Sequence, residues 1–195
     1  MNRKLLALGT ALIIVGVMSG CTATTQTTDA GAGASFSDGN FQVAEIAPSD
    51  RGEPVQFEGV IETGQTVTSD DYRGEVLVVN FWYAACGPCI VEAPMLEQVF
   101  LRFQNEEVDF LGVNTYDQAE TALSFARENN VTYPSVIDVN DGQVKLAFAQ
   151  LTPIQATPTT LVMDRQGRLA ARIIGQLPSA SILSTIVADT LAERP

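Results

Sequence analysis

Cys86-Gly87-Pro88-Cys89 stands directly behind an apolar stretch, Val76 to Trp82, and in front of a helix-like run, Ile90 to Phe103. Two thiols one helical turn apart can make and break a disulfide as chemistry when the first lies at a helix N-terminus and is exposed. Helix-terminal N–H groups and the positive end of the dipole favour a thiolate at Cys86 by about 0.3 to 2 kcal/mol, up to roughly 1.5 pKa units. Cys86 is therefore expected to be exposed and to be the attacking sulfur. Cys89, one turn into the helix, is expected to be more buried and to close the ring onto Cys86, releasing whatever sulfur Cys86 had captured.

The chain has three cysteines in all, the third being Cys21, and no histidine. Four-cysteine zinc sites and the usual Cys/His combinations cannot be assembled from this set, so no metal is expected. Cys-His and Ser-His catalysis are excluded on the same ground, and a histidine-dependent copper site is disfavoured. No cofactor beyond the two thiols is required for the exchange chemistry.

Residues 1–20 read as a secretory leader. Arg3 and Lys4 give a positive start, and Leu5 to Val17 give an apolar stretch too short to favour a spanning helix. The segment ends at Met18-Ser19-Gly20-Cys21, which resembles the bacterial lipobox, although Met18 stands where Leu is usual. That resemblance implies lipidation of Cys21 and an extracytoplasmic domain anchored to a bacterial membrane through acyl chains. The charge balance fits an anchor made by lipid alone. Eleven basic residues face 23 acidic ones, a net −12, and removal of Arg3 and Lys4 takes the chain to about −14, which anionic headgroups and nucleic acid would both repel. Residues 21–50 are expected to form the lipidated cysteine and a flexible linker, because 22–40 are mostly Thr, Ala, Gly and Asp with little to bury. Residues 51–195 are the size of one domain.

Val55 to Ile61 and Thr66 to Thr68 flank Gly64-Gln65 and predict a short hairpin, followed by a turn at Ser69 to Tyr72. Val76 to Trp82 predicts a strand buried on both faces. Pro88 suits the opening turn of the next helix. Val108 to Asn114 predicts a strand, Ala119 to Asn129 a helix with Leu123 and Ala126 inward, Ser135 to Val139 a short strand, and Gln143 to Gln150 a brief helix. Thr159 to Met163 and Leu169 to Ile174 flank Asp164 to Gly167 as a hairpin. Ser179 is placed to cap a last helix, Ala180 to Ala192, with Ile182, Ile186 and Val187 as its apolar stripe.

This order, with CxxC at a strand-to-helix junction, resembles the thioredoxin fold, and more closely the membrane-anchored TlpA/ResA-like thiol-disulfide oxidoreductases. GEVLVVNFWYAACGPCIVEAP, the segment ending VTYPSVID, and ATPTTLVMDRQGR carry the resemblance. It implies an α/β fold with a central mixed sheet flanked by helices, an N-terminal hairpin and an inserted strand-helix segment. It also implies a cis-proline loop against the CxxC, which Thr157-Pro158 fits; Pro134 and Pro153 are read as trans. Thioredoxins carry a buried Asp where Asn80 stands, and Asn cannot exchange a proton. ResA-like proteins instead have a Glu three residues past the second cysteine, where Glu92 stands. Three-residue spacing puts Glu92 on the helix face of Cys89, so burial would raise its pKa and let it serve as general acid and base.

Trp82 is assigned either to the substrate surface or to the core, and Gly87, Pro88, Thr157 and Pro158 to substrate binding. The resemblance implies a disulfide reductase that draws electrons from a membrane thiol donor of the CcdA or DsbD type. Its substrates would be exported cysteine proteins, apocytochrome c among them. A disulfide-forming oxidant and a non-catalytic thioredoxin-fold binding module are the alternatives. A peroxiredoxin-like thiol peroxidase is disfavoured, because the stretch before Cys86 lacks the Pro and Thr or Ser such sites place there.

Overall fold

The computed structural model describes residues 35–193 except 40, 150, 152, 153 and 155. The leader, Cys21 and Pro153 lie outside the described residues. In chain order the elements are β1 (Ser35–Asp38), β2 (Phe41–Glu45), β3 (Glu58–Val60), β4 (Thr66–Thr68), β5 (Val76–Trp82) and α1 (Gly87–Phe103). There follow β6 (Val108–Asn114), α2 (Ala119–Asn129), β7 (Ser135–Ile137), α3 (Gln143–Ala149), β8 (Thr159–Met163), β9 (Leu169–Gly175) and α4 (Ala180–Ala192).

The seven-stranded sheet has the order β1-β2-β9-β8-β5-β6-β7. β5, β6 and β7 are parallel, while β8 and β9 return antiparallel, giving the mixed sheet expected. β3 and β4 form the predicted N-terminal hairpin as a separate ribbon, tied to the sheet by a bridge from Ile61 to Val136. All seven residues of β5 are buried. Strand alternation sorts them: Val76 and Val78 pack with Leu96 and Val99 of α1 and Leu183 and Val187 of α4. Leu77, Val79 and Phe81 pack on the opposite face with Val144 and Phe148 of α3. Asn80 and Trp82 share the parity of Val76 and Val78, so they point toward α1.

Three expectations are corrected. Residues 35–45 do not belong to a linker running to residue 50: β1 and β2 form a hairpin whose second strand pairs with β9, from Phe41 opposite Gly175 to Glu45 opposite Ala171. Just after it, Arg51 is clamped by Asp164 at 3.0 Å and by both carboxylate oxygens of Glu193 at 2.5 and 2.6 Å. α2 buries Ala122 and Phe125, with Leu123 and Ala126 only half-buried. The reason is Phe125, whose large ring takes the inner position against Trp82, 4.4 Å between centroids. Finally, the strand expected at 135–139 stops at Ile137, because the Asp138 carboxylate turns to accept the N–H groups of Val144 and Lys145 at the start of α3.

Candidate active site

β5 ends at Trp82, and a turn closed by Cys86 N–H donating to the Tyr83 carbonyl carries the chain into α1. Cys86 is the N-cap of that helix, with extended backbone (φ −77°, ψ 106°), and its sulfur accepts the Cys89 N–H at 3.2 Å. Oxygen usually fills this capping role; here the sulfur does, placing it on the donor groups that favour a thiolate. Cys86 and Cys89 are joined by a disulfide, with Cα atoms 5.2 Å apart.

Cys89 is buried as expected, but Cys86 is only 3 % exposed and not the open thiol that its position suggests. Acting as the cap turns its sulfur inward, over a cluster of Trp82, Ala93, Ala122 and Phe125. Its other neighbour is the Thr157 carbonyl oxygen, 3.8 Å away; a disulfide sulfur has no proton to donate, so this is a contact and not a hydrogen bond. The Thr157–Pro158 peptide bond is cis. Thr157 is half-buried and Pro158 buried, whereas Gly87 and Pro88 are exposed at the tip of the motif.

Trp82 resolves to the core alternative. It is 6 % exposed, lies beneath the disulfide, and donates its indole N–H to Ser135 Oγ at 3.2 Å. Gly112 makes this possible, since a Cβ there would collide with both Ser135 Oγ and Trp82 Nε1. Half-buried Tyr83, and not Trp82, reaches the surface, with its ring 5.7 Å from that of Tyr116.

Glu92 is fully buried one turn beyond Cys89. Burial pushes its carboxyl up to about 7, against the opposing pull of the Leu177 N–H at 2.7 Å and the Asn80 amide at 2.8 Å. Sequence reasoning missed the link to Asn80. Asn80 carries no transferable proton, but it holds the group that does, and its amide also reaches Thr160 Oγ1 at 3.1 Å. Because Asn can present either a donor or an acceptor, rotation of its amide can match either protonation state of Glu92, while Leu177 N–H only donates. A cavity of about 10 Å³ lined by Asn80, Cys89, Tyr133 and Ser135 has room for about one water beside the second sulfur.

A second missed residue is Asp117. Its carboxylate accepts the Ala84 N–H at 2.6 Å and the Asn114 amide at 3.0 Å, pinning the approach to Cys86 from the loop after β6. Asn114 in turn accepts the N–H groups of Tyr116 and Asp117 at 3.0 and 2.7 Å. The readable signal was Asn and Asp three residues apart just past a strand, a pattern that folds locally into a side-chain-capped turn.

The thiol-disulfide oxidoreductase ResA of Geobacillus thermodenitrificans is 32 % identical over 112 residues, 57 % of this chain and 62 % of that protein. ResA of Bacillus subtilis is 26 % identical over 119 residues, 61 % and 64 % of the respective chains. The chain thus matches less than two thirds of the length of these curated relatives. Among solved structures, a secreted thiol-disulfide isomerase from Corynebacterium glutamicum aligns with TM-score 0.71 at 24 % identity, covering 77 % of this chain and 92 % of its own. A DsbF homologue from Corynebacterium diphtheriae aligns with TM-score 0.67 at 26 % identity, covering 75 % and 92 %. The fold is therefore thioredoxin-like, as the sequence suggested. The AhpC/TSA family model runs from Gly52, ahead of the β3–β4 ribbon, to Arg172 in β9. It thereby encloses the disulfide, Glu92 and the cis-proline loop, and the chain belongs to the AhpC/TSA family.

Proposed function

We propose that the protein is a thiol-disulfide oxidoreductase working outside the cytoplasm as a disulfide reductase, held to the membrane through lipid on Cys21. One observation carries the catalytic part: a Cys86–Cys89 disulfide at a helix N-terminus with the buried carboxyl of Glu92 one turn further on. In the reduced protein the Cys86 thiolate attacks a substrate disulfide. One Cys86–substrate S–S bond forms, and the first substrate sulfur leaves as a thiolate that takes a proton from solvent. Cys89 then gives its proton to ionised Glu92 and attacks the Cys86 sulfur, and the second substrate thiolate leaves and is protonated. Two electrons pass from the dithiol to the substrate, leaving the Cys86–Cys89 disulfide. A membrane thiol donor of the CcdA or DsbD type would restore the dithiol, and an exported cysteine protein such as apocytochrome c would be the substrate. Similarity to the ResA proteins supports this assignment of partners, and the leader ending in Cys21 supports the tether.

The test is reduction of insulin disulfides by the dithiol form, with the reduction potential measured in parallel. Cys86-dependent reduction and a potential near −270 mV are expected; a potential near −120 mV would make the protein an oxidant instead. Absence of any Cys86-dependent exchange would leave only a binding module.

A further inference from the structure

A groove of about 700 Å³ runs between the start of α1 and α2. Ala84, Ile90 and Phe125 supply its apolar lining, and Glu120 and Glu128 supply its charge. It adjoins the reactive pair, since Ala84 lies two residues before Cys86 and Ile90 directly follows Cys89. Ile90 in that lining is 44 % exposed, and its chain neighbour Val91 is 56 % exposed. A partly apolar groove beside a reactive disulfide suits the binding of another chain.

The charges select the kind of chain. Glu120 and Glu128 are both exposed, and neither forms an ion pair among the described residues. Among the described residues Glu128 accepts only the Ser124 hydroxyl, at 3.1 Å. Glu128 also stands in the last turn of α2, where the negative end of the helix dipole disfavours a carboxylate, so helix stability does not account for it. The eight-residue separation places the two carboxylates about 12 Å apart along the helix, the span of about three or four extended residues.

We propose that this groove docks the segment of a substrate polypeptide flanking its reacting cysteine. The segment it fits is cationic and partly apolar, with Lys or Arg within about six residues of the cysteine and an aliphatic or aromatic side chain between. This rests on the oxidoreductase reading and adds the substrate class. It uses elements other than the Thr157 carbonyl, so the two surfaces can hold different flanks of one substrate.

The test compares two synthetic peptides, each with one cysteine as a mixed disulfide with 2-mercaptoethanol and a leucine near it. One peptide carries two lysines about three residues apart and the other two glutamates. The dithiol form of the full chain in nonionic detergent should react about fivefold faster with the lysine peptide at low salt, an advantage that disappears at about 0.5 M salt. Glu120→Lys with Glu128→Lys should reverse the preference toward the glutamate peptide, a change that general damage cannot produce. Glu58→Lys with Glu106→Lys makes the same change in net charge at exposed sites outside the groove and should leave the lysine preference in place.

The proposal is overturned if the groove variant keeps the lysine preference, or if the control variant shifts it as far. Binding of the same peptides with serine in place of cysteine, read by fluorescence anisotropy, should follow the same order and needs no exchange chemistry. Failure of the unmodified protein to reduce hydroxyethyl disulfide would refute the oxidoreductase reading, while loss of the order in anisotropy would refute the groove.

Discussion

Glu92→Gln removes the buried carboxyl that burial pushes up to about 7, and the oxidised protein isolates its effect on stability. Cys86 and Cys89 do not titrate while bonded, and without histidine few other groups titrate near neutrality. Native Glu92 holds its proton more tightly than the same residue in the unfolded chain, whose ordinary value is 4.5. Between about pH 4.5 and 7 the native state therefore binds more protons than the unfolded state, and the stability of the fold falls as pH rises. That contribution is fully present below about 4.5 and is lost as pH climbs through about 7, after which the curve levels. A displacement from 4.5 to about 7 corresponds to about 3 kcal/mol, most of which falls between pH 5 and 8.5.

Urea unfolding of the oxidised protein and of Glu92→Gln across that range measures the difference directly. Glu75, also pushed up to about 7 through its hydrogen bond with Asp109, is present in both proteins and cancels. In the variant the Leu177 N–H can still donate to the Gln oxygen, and Asn80 can rotate its amide to accept from the Gln nitrogen. Any cost of that rotation displaces the variant's curve equally at every pH, so the slope carries the test. The unmodified protein should lose about 2 to 3 kcal/mol more than the variant between pH 5 and 8.5. Parallel curves, differing in slope by less than about 0.5 kcal/mol over the range, would refute the buried-carboxyl reasoning and with it the proton role given to Glu92.

Two further perturbations probe the supports of the site. Asn80→Ala deletes a donor that favours ionised Glu92, so the midpoint of the same stability titration should move up by about one pH unit or more; an unmoved midpoint would show that Asn80 does not act on that carboxyl. Arg51→Ala leaves the nearly buried Asp164 with Arg168 as its one remaining cation among the described residues, and should cost about 3 kcal/mol in urea unfolding at neutral pH. Asp164 is held below the ordinary carboxylate value because the hydrogen bonds from Arg168 and Arg51 outweigh its burial. Much of the Arg51 penalty should therefore fade as acid protonates Asp164, and a loss unchanged at low pH would point to packing instead of charge.

The parts of this fold that were readable are those whose signal is local. Val76 to Trp82 announced a central strand because burial on both faces leaves no alternation to obscure it, and α4 announced itself through Ser179, which caps it as expected. Cys86 and Cys89 were found for the same reason, as two thiols one helical turn apart, whereas Glu92 was reached through the resemblance to ResA-like proteins, with the three-residue spacing then placing it on the face of Cys89. What stayed hidden depends on which residues distant segments bring together. The β1–β2 hairpin lies where composition suggests a tether, and its partner β9 is some 130 residues downstream. The α2 face was misjudged because Phe125 is claimed by Trp82, a contact that no helical periodicity reports.

Asn80 is the most instructive case, since a comparison by position set it aside as chemically inert. Strand parity alone sends Asn80 to the same side as Val76 and Val78, which is the side α1 covers, and the buried face of α1 presents Glu92 there. The three parts of the proton site come from β5, α1 and the backbone of Leu177, 85 residues beyond Glu92. Burial outweighs the opposing hydrogen bonds at that carboxyl, and those bonds limit the rise to about 7. A full-strength pair of donors to an exposed carboxylate would keep it ionised, and burial without them would keep it protonated. Either would prevent it from both taking and returning the Cys89 proton, so the supporting amide and N–H are as necessary to the proposed chemistry as Glu92 itself.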